Sequence, residues 1–198
     1  MRLSIIVTDS GPLITLAVGG SLDALLAPQL SVIVPDMVRF EVIQNLDKPG
    51  AREVADWIRN NEGKGVRVAS TEVFEEFEIL RSASITTKTK DRGERAAAEV
   101  LSNELNENDF GAILIFEDSD VRKPNFLIRL PDQVAIVSTS EFLHGLERHG
   151  LLSTGVADAV LDRAVDVRGN EILRRHLSLM GNSVVPADWP SNMAPPHN

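Results

Sequence analysis

Short, nearly uninterrupted apolar runs recur along the chain: LSIIVT (3–8), SVIV (31–34), VRVA (66–69), AILIF (112–116) and VAIV (134–137). Most of them lack the polar alternation of a strand with one wet face. They read as strands covered on both sides, as in a parallel sheet. Helical segments lie between them: PLITLAV (12–18), MVRFEVIQNL (37–46), AREVADWIRNNE (51–62) and GERAAAEVLSNEL (93–105). This alternation predicts an α/β sheet with right-handed crossovers. Within TEVFEEFEILRSASITTKTK (71–90) the first half fits a helix, and the second half, rich in Ser, Thr and Lys, reads as a loop. The stretch PNFLIRLPDQ (124–133), with Pro124 and Pro131, is irregular.

The character changes at 138. STSEFLHGLERHGLL begins with a capping Ser or Thr, carries an apolar stripe at Phe142, Leu143 and Leu146, and stops at Gly150. Two more helices are expected, in STGVADAVLDRAVDV (153–167) and GNEILRRHLSLM (169–180). The expected organisation is an α/β domain over 1–152, a helical extension over 153–182 and a flexible tail over 183–198, where prolines 186, 190, 195 and 196 fall.

Composition narrows the chemistry. With 198 residues the chain is long enough for one core plus a small appendage. It has no cysteine, so disulfides, thiolate metal sites and cysteine nucleophiles are excluded. That fits a cytoplasmic protein. Asp9, Gly11 and Pro12 break the first apolar stretch, which reads as strand, turn and helix rather than a leader. No segment has the length of a membrane span. The net charge of −9 argues against a broad nucleic-acid grip, but acids gathered to hold cations give the same sign.

Four acids stand out. Asp9 falls between a strand and a helix whose expected cap is Ser10 or Gly11, at the carboxyl edge where open α/β sheets bind ligands. EDSD (117–120) follows another apolar strand, so Asp118, with Glu117 and Asp120 as alternatives, belongs to the same edge if the two strands are parallel neighbours. Oxygen donors of this kind suit Mg²⁺ or Mn²⁺. Glu41 lies beside the apolar stripe of a helix that starts after Pro35 with Asp36 as cap. Its ordinary explanation is a surface helix glutamate. Glu94 stands three residues after Asp91, the spacing of a capping box, which is its ordinary explanation. The AAA that follows lets that helix pack closely. The four histidines, at 144, 149, 176 and 197, show no metal-ligand spacing.

The order of these acids is more specific than any one of them. IIVTDSGPLITLA, VPDMVRFEVI, DRGERAAAEVL, AILIFEDSDVRK and VAIVSTSEFLHGLERHGLL together resemble the PIN-domain nucleases, including the toxin members of bacterial toxin–antitoxin pairs. The resemblance spans residues 3 to 152. It implies an α/β/α sandwich with a central parallel sheet and a carboxylate pocket for Mg²⁺ or Mn²⁺. By position, Asp9, Glu41, Glu94 and Asp118 match the acids that act in catalysis and hold metal, with Asp120 a further metal candidate. Ser10 matches a small polar site residue, and Arg92, Arg95 and Arg122 are candidates for the RNA backbone. The implied activity is metal-dependent hydrolysis of RNA. For a toxin, the implied partners are a small antitoxin protein and a second copy of the chain.

The alternative on the same fold is an interaction or regulatory protein with weak or no nuclease activity. A haloacid dehalogenase phosphatase needs DxD after its first strand, and here Ser10 and Gly11 follow Asp9. A receiver domain needs paired early acids that this chain lacks. No Walker loop, GxGxxG, HExxH or GxSxG motif occurs.

Overall fold

A computed structural model describes residues 2–83, 91–105, 110–117 and 130–168, folded around one sheet of five parallel strands. The strands are β1 (Arg2–Thr8), β2 (Ser31–Pro35), β3 (Val66–Ala69), β4 (Phe110–Ile115) and β5 (Val134–Val137). Each predicted apolar run is a strand, and the order across the sheet is β3-β2-β1-β4-β5. The chain therefore moves outward from β1 through β2 to β3, then returns to the other side of β1 with β4. That reversal puts a topological switch point at the carboxyl ends of β1 and β4, the usual place for a ligand in such sheets. Thr8 pairs with Ile115 there, so the residues after each strand emerge side by side.

Helices α1 (Ser10–Val18), α2 (Asp36–Ile43), α3 (Ala51–Asn61), α4 (Glu72–Ser82), α5 (Arg92–Leu105), α6 (Thr139–Arg148) and α7 (Val156–Arg168) cover the sheet. Alternate strand residues divide between two cores. Ile6, Val32, Val34, Ile113, Ile115 and Val137 face α1, α3, α6 and α7. Val7, Ile33, Ala112 and Leu114 face α5. Pairing between β1 and β4 shifts between Leu3 and Ile5, so Leu3 joins the face of Ile6 rather than that of Ile5. Burying one such side chain contributes roughly 1.5–3 kcal/mol, which is why continuous apolar runs specify this doubly covered sheet. The chain has the PIN-like α/β/α architecture.

Helix α6 opens with a capping box. The Glu141 N–H donates to Ser138 Oγ at 3.1 Å, and the Ser138 N–H donates to Glu141 Oε2 at 2.7 Å. Helix α7, in the segment expected as an extension, packs on α1 and α6 with Ala157, Val160 and Ala164 buried in the larger core. Gly19 makes that approach possible: a Cβ there would fall 2.4 Å from Val160 Cγ1. His144 bridges these elements, its Nε2 lying 3.2 Å from Asp158 Oδ1. The helix expected over 169–180 and the tail over 183–198 lie outside the described residues, as do 84–90 and most of 124–133. Among the described residues no helix is long and apolar enough to cross a membrane.

Candidate metal centre

Asp9 leaves β1 and enters α1. The helix starts at Ser10, so Asp9, not Ser10 or Gly11, holds the capping position, with extended backbone (φ −90°, ψ 175°). The sequence reading placed the cap one or two residues late. Pro12 is the third residue of α1, within the first turn that suits it, where its missing N–H is among those left unpaired. Asp9 holds this position without capping through its side chain. Its N–H donates to the Ile115 carbonyl at 3.2 Å, which fastens the end of β1 to β4. Ser10 sits half-buried beside it at the start of α1.

Glu41 lies four residues after Met37 and three after Val38, so the 3.6-residue period puts it on the face that buries both. That face meets α5, where Gly93, Ala96 and Ala97 leave room for close approach. A Cβ at Gly93 would fall 2.9 Å from Glu41 Oε2 and 3.2 Å from Asp9 Oδ1. The two carboxylates thus converge on the bare backbone of one glycine. Burial, the negative charge of Asp9 and then that of Glu94 push the Glu41 carboxyl up from 4.5 to about 8, against a lowering hydrogen bond from the Gly93 backbone. Asp9 and Glu94 each stand close enough to Glu41 to act on its charge.

The capping-box explanation of Glu94 fits poorly. Its first residue, Asp91, has φ 62°, in the left-handed region, whereas the first residue of such a box is extended. Asp36 also departs from expectation, because it is the first residue of α2 and not its cap. Its carboxylate takes the Met37 N–H at 2.8 Å, the Thr71 N–H at 3.0 Å and the Thr71 hydroxyl at 2.7 Å, joining α2 to the start of α4.

Arg92 and Arg95 flank Glu94 on α5. Arg92 is mostly buried, lies over the Phe77 ring at 5.6 Å and is 3.6 Å from Glu76. Arg95 is half-exposed and 3.7 Å from the same glutamate. Asp118, Asp120 and Arg122 lie outside the described residues. Their neighbour Glu117 is described, and it is committed elsewhere. It accepts from the Thr139 hydroxyl at 2.7 Å and from Arg168 Nη1 at 2.8 Å, with its side chain 5% exposed.

Sequence reasoning missed Gly93 and Arg168. A glycine at the second position of a helix that continues AAA was the available signal for a close approach. Arg168 gave none, since its partners are more than fifty residues away in the chain.

The donors suit a hard divalent cation: they are carboxylate oxygens, of like charge, brought together where a Cβ at Gly93 would press against them. Among the described residues, however, no group of three or more His, Cys, Asp or Glu side chains is arranged to hold a metal ion. Asp9 and Glu41 meet at Gly93, Glu94 acts on Glu41 electrostatically, and the expected fourth acid follows Glu117.

A comparison with curated proteins finds no match. A comparison with family models matches residues 5–87 to DUF3368, described as a PIN domain. That segment contains the Asp9 and Glu41 blocks. The strands β4 and β5, beyond it, complete the same parallel sheet. Residues 5–87 thus match the model of a PIN domain, a nuclease-type family whose domains generally use divalent metals.

Proposed function

We propose that this protein is a Mg²⁺- or Mn²⁺-dependent endoribonuclease, hydrolysing RNA phosphodiester bonds beyond the carboxyl ends of β1 and β4. The convergence of Asp9 and Glu41 on Gly93 carries this reading. Asp9, Glu41 and Glu94, with Asp118 or Asp120, would hold the cation. A bound divalent cation supplies a water of lowered pKa and charge to stabilise the leaving oxygen.

The chain's own residues supply position and charge. Asp9 is fixed by the bond of its N–H to Ile115. Without a cation, Glu41 keeps a proton on its carboxyl well above the ordinary carboxylate range, because a second and third negative charge stand beside it. Cation binding must displace that proton. Arg95, half-exposed at the rim, suits a phosphate of the RNA backbone, and Arg122 and Ser10 belong to the same proposal. Arg92 contributes mainly by packing under Phe77.

The test is cleavage of mixed single-stranded RNA by the purified chain with Mn²⁺, with and without chelator. Wild type should cleave only with the metal, and Asp9→Asn and Asp118→Asn should be folded and inactive. Equal cleavage by these variants rejects the site. The second reading, a PIN-fold interaction or regulatory protein, is favoured by the absence of a closed three-acid cluster among the described residues. Capture of a partner equally by wild type and Asp9→Asn, without cleavage, would establish it. A toxin role adds a small antitoxin protein over the acids and a homodimer. A short neighbouring reading frame for a DNA-binding protein would support that addition.

A further inference from the structure

Arg168, the last residue of α7, reaches the first turns of α1. Its Nη1 donates to Glu117 Oε2 at 2.8 Å, to the Gly11 carbonyl at 3.2 Å and to Thr15 Oγ1. A cation at a helix N-terminus opposes the helix dipole. The buried Glu117 carboxylate supplies the charge that keeps it there. Gly11 fits against the same carboxylate, where a Cβ would lie 2.9 Å from Glu117 Oε2. At the other end of α1, Arg163 donates to the Gly19 carbonyl at 3.4 Å, so α7 holds α1 along its length. Asp9 is the cap of the turn that Arg168 grips, two residues before Gly11.

We infer that Arg168 is a positioning residue for the acidic site. Through the Gly11 carbonyl and the Thr15 hydroxyl it sets the first turn of α1, and so the direction in which Asp9 meets Glu41 at Gly93. Glu117 is its counter-charge and stays out of the carboxylate pocket. This inference rests on the reading of Asp9 and Glu41 as a cation site. It assigns the region after 153 a role that the matched segment, ending at 87, does not contain.

The test compares wild type with Arg168→Met, Arg168→Lys and Arg168→Met/Glu117→Gln, using full chains. Amide hydrogen exchange at Leu13 and Ile14 reads the turn, Mn²⁺ affinity reads the pocket, and the melting temperature reads stability. In Arg168→Met the two amides should exchange at least about tenfold faster, and Mn²⁺ affinity should fall about tenfold, as for other groups that orient metal ligands. Arg168→Lys should recover both in large part, because an ammonium offers three donors. The double variant carries no unpaired buried carboxylate, so it should regain melting temperature but not Mn²⁺ affinity. Recovery of affinity in step with melting temperature would show that Arg168 only neutralises Glu117, and would overturn the inference. If wild type binds no Mn²⁺, the cation-site reading fails on its own. The exchange rates then still decide the positioning role, which unchanged rates in Arg168→Met would overturn.

Discussion

Two glutamates near the same edge of the sheet have opposite surroundings. Glu117 follows β4 and is met by a guanidinium and a hydroxyl, so its charge is balanced inside the protein. Glu41 comes from α2 and is met by Asp9 and Glu94, so its charge is aggravated. A fold seeking only stability would arrange both like the first. A cluster of like charges held against a glycine backbone costs folding free energy unless something positive joins it, which is the ordinary signature of a functional site. The contrast separates an acid whose charge is balanced within the fold from one whose charge is not, and it is the second kind that the proposed function assigns to a cation.

The sharpest way to break this comparison is to remove one negative charge from each cluster. Glu117→Gln leaves Arg168 without its counter-charge in a largely buried place, and should cost about 3 kcal/mol by chemical denaturation. Glu41→Gln removes repulsion and should leave the metal-free protein equally or more stable at pH 8. Equal losses in the two variants would mean that the clusters do not differ as described.

The pH dependence sharpens the same point. The Glu41 carboxyl titrates near 4.5 when unfolded and near 8 when folded. Between those values the folded protein holds a proton that the unfolded chain has released. The stability from this group is therefore complete below 4.5, falls as pH rises through the window, and is gone above about 8. Thermal melts in chelator should show this fall in wild type and not in Glu41→Gln. Mn²⁺ should reverse it, raising the melting temperature more at pH 8 than at pH 5, because at the lower pH it competes with the proton.

A smaller effect isolates the cradle. Alanine favours helix over glycine by about 1 kcal/mol, so Gly93→Ala should hold or raise stability. Its methyl group nevertheless falls among the Glu41 and Asp9 oxygens. Mn²⁺ affinity should drop about tenfold, a change of about 1.4 kcal/mol. Retained affinity would show that the two carboxylates do not meet at this glycine when a cation is bound.

The fold was legible because burial on both faces writes itself into sequence as unbroken apolar runs, and all five became strands. The position of Asp9 was legible for a related reason: it stands where a strand must end, and the expected parallel pairing of β1 with β4 is observed, while Asp118 and Asp120 lie outside the described residues. Glu41 was not decidable from its own helix, since a position beside an apolar stripe becomes buried only when a second helix arrives. Gly93, on α5, supplies that second surface. The pairing of Glu117 with Arg168 was invisible because it joins distant segments, and charge composition alone does not say which ions meet.

Glu94 gives the finest test of the contrast. If it only caps α5, glutamine should serve as well, because an amide oxygen still accepts and its NH₂ still donates. The left-handed backbone of Asp91 speaks against that role, and the influence of Glu94 on Glu41 speaks for a place in the acidic cluster. Glu94→Gln removes the smaller of the two charges that act on Glu41, after Asp9. The midpoint of the pH-dependent melt should therefore move downward, by less than it moves in Asp9→Asn. Mn²⁺ affinity should weaken a few-fold while the melting temperature at pH 5 stays unchanged. A midpoint that moves in Asp9→Asn but not in Glu94→Gln would return Glu94 to the helix end and leave Asp9 and Glu41 as the whole of the described acidic pair.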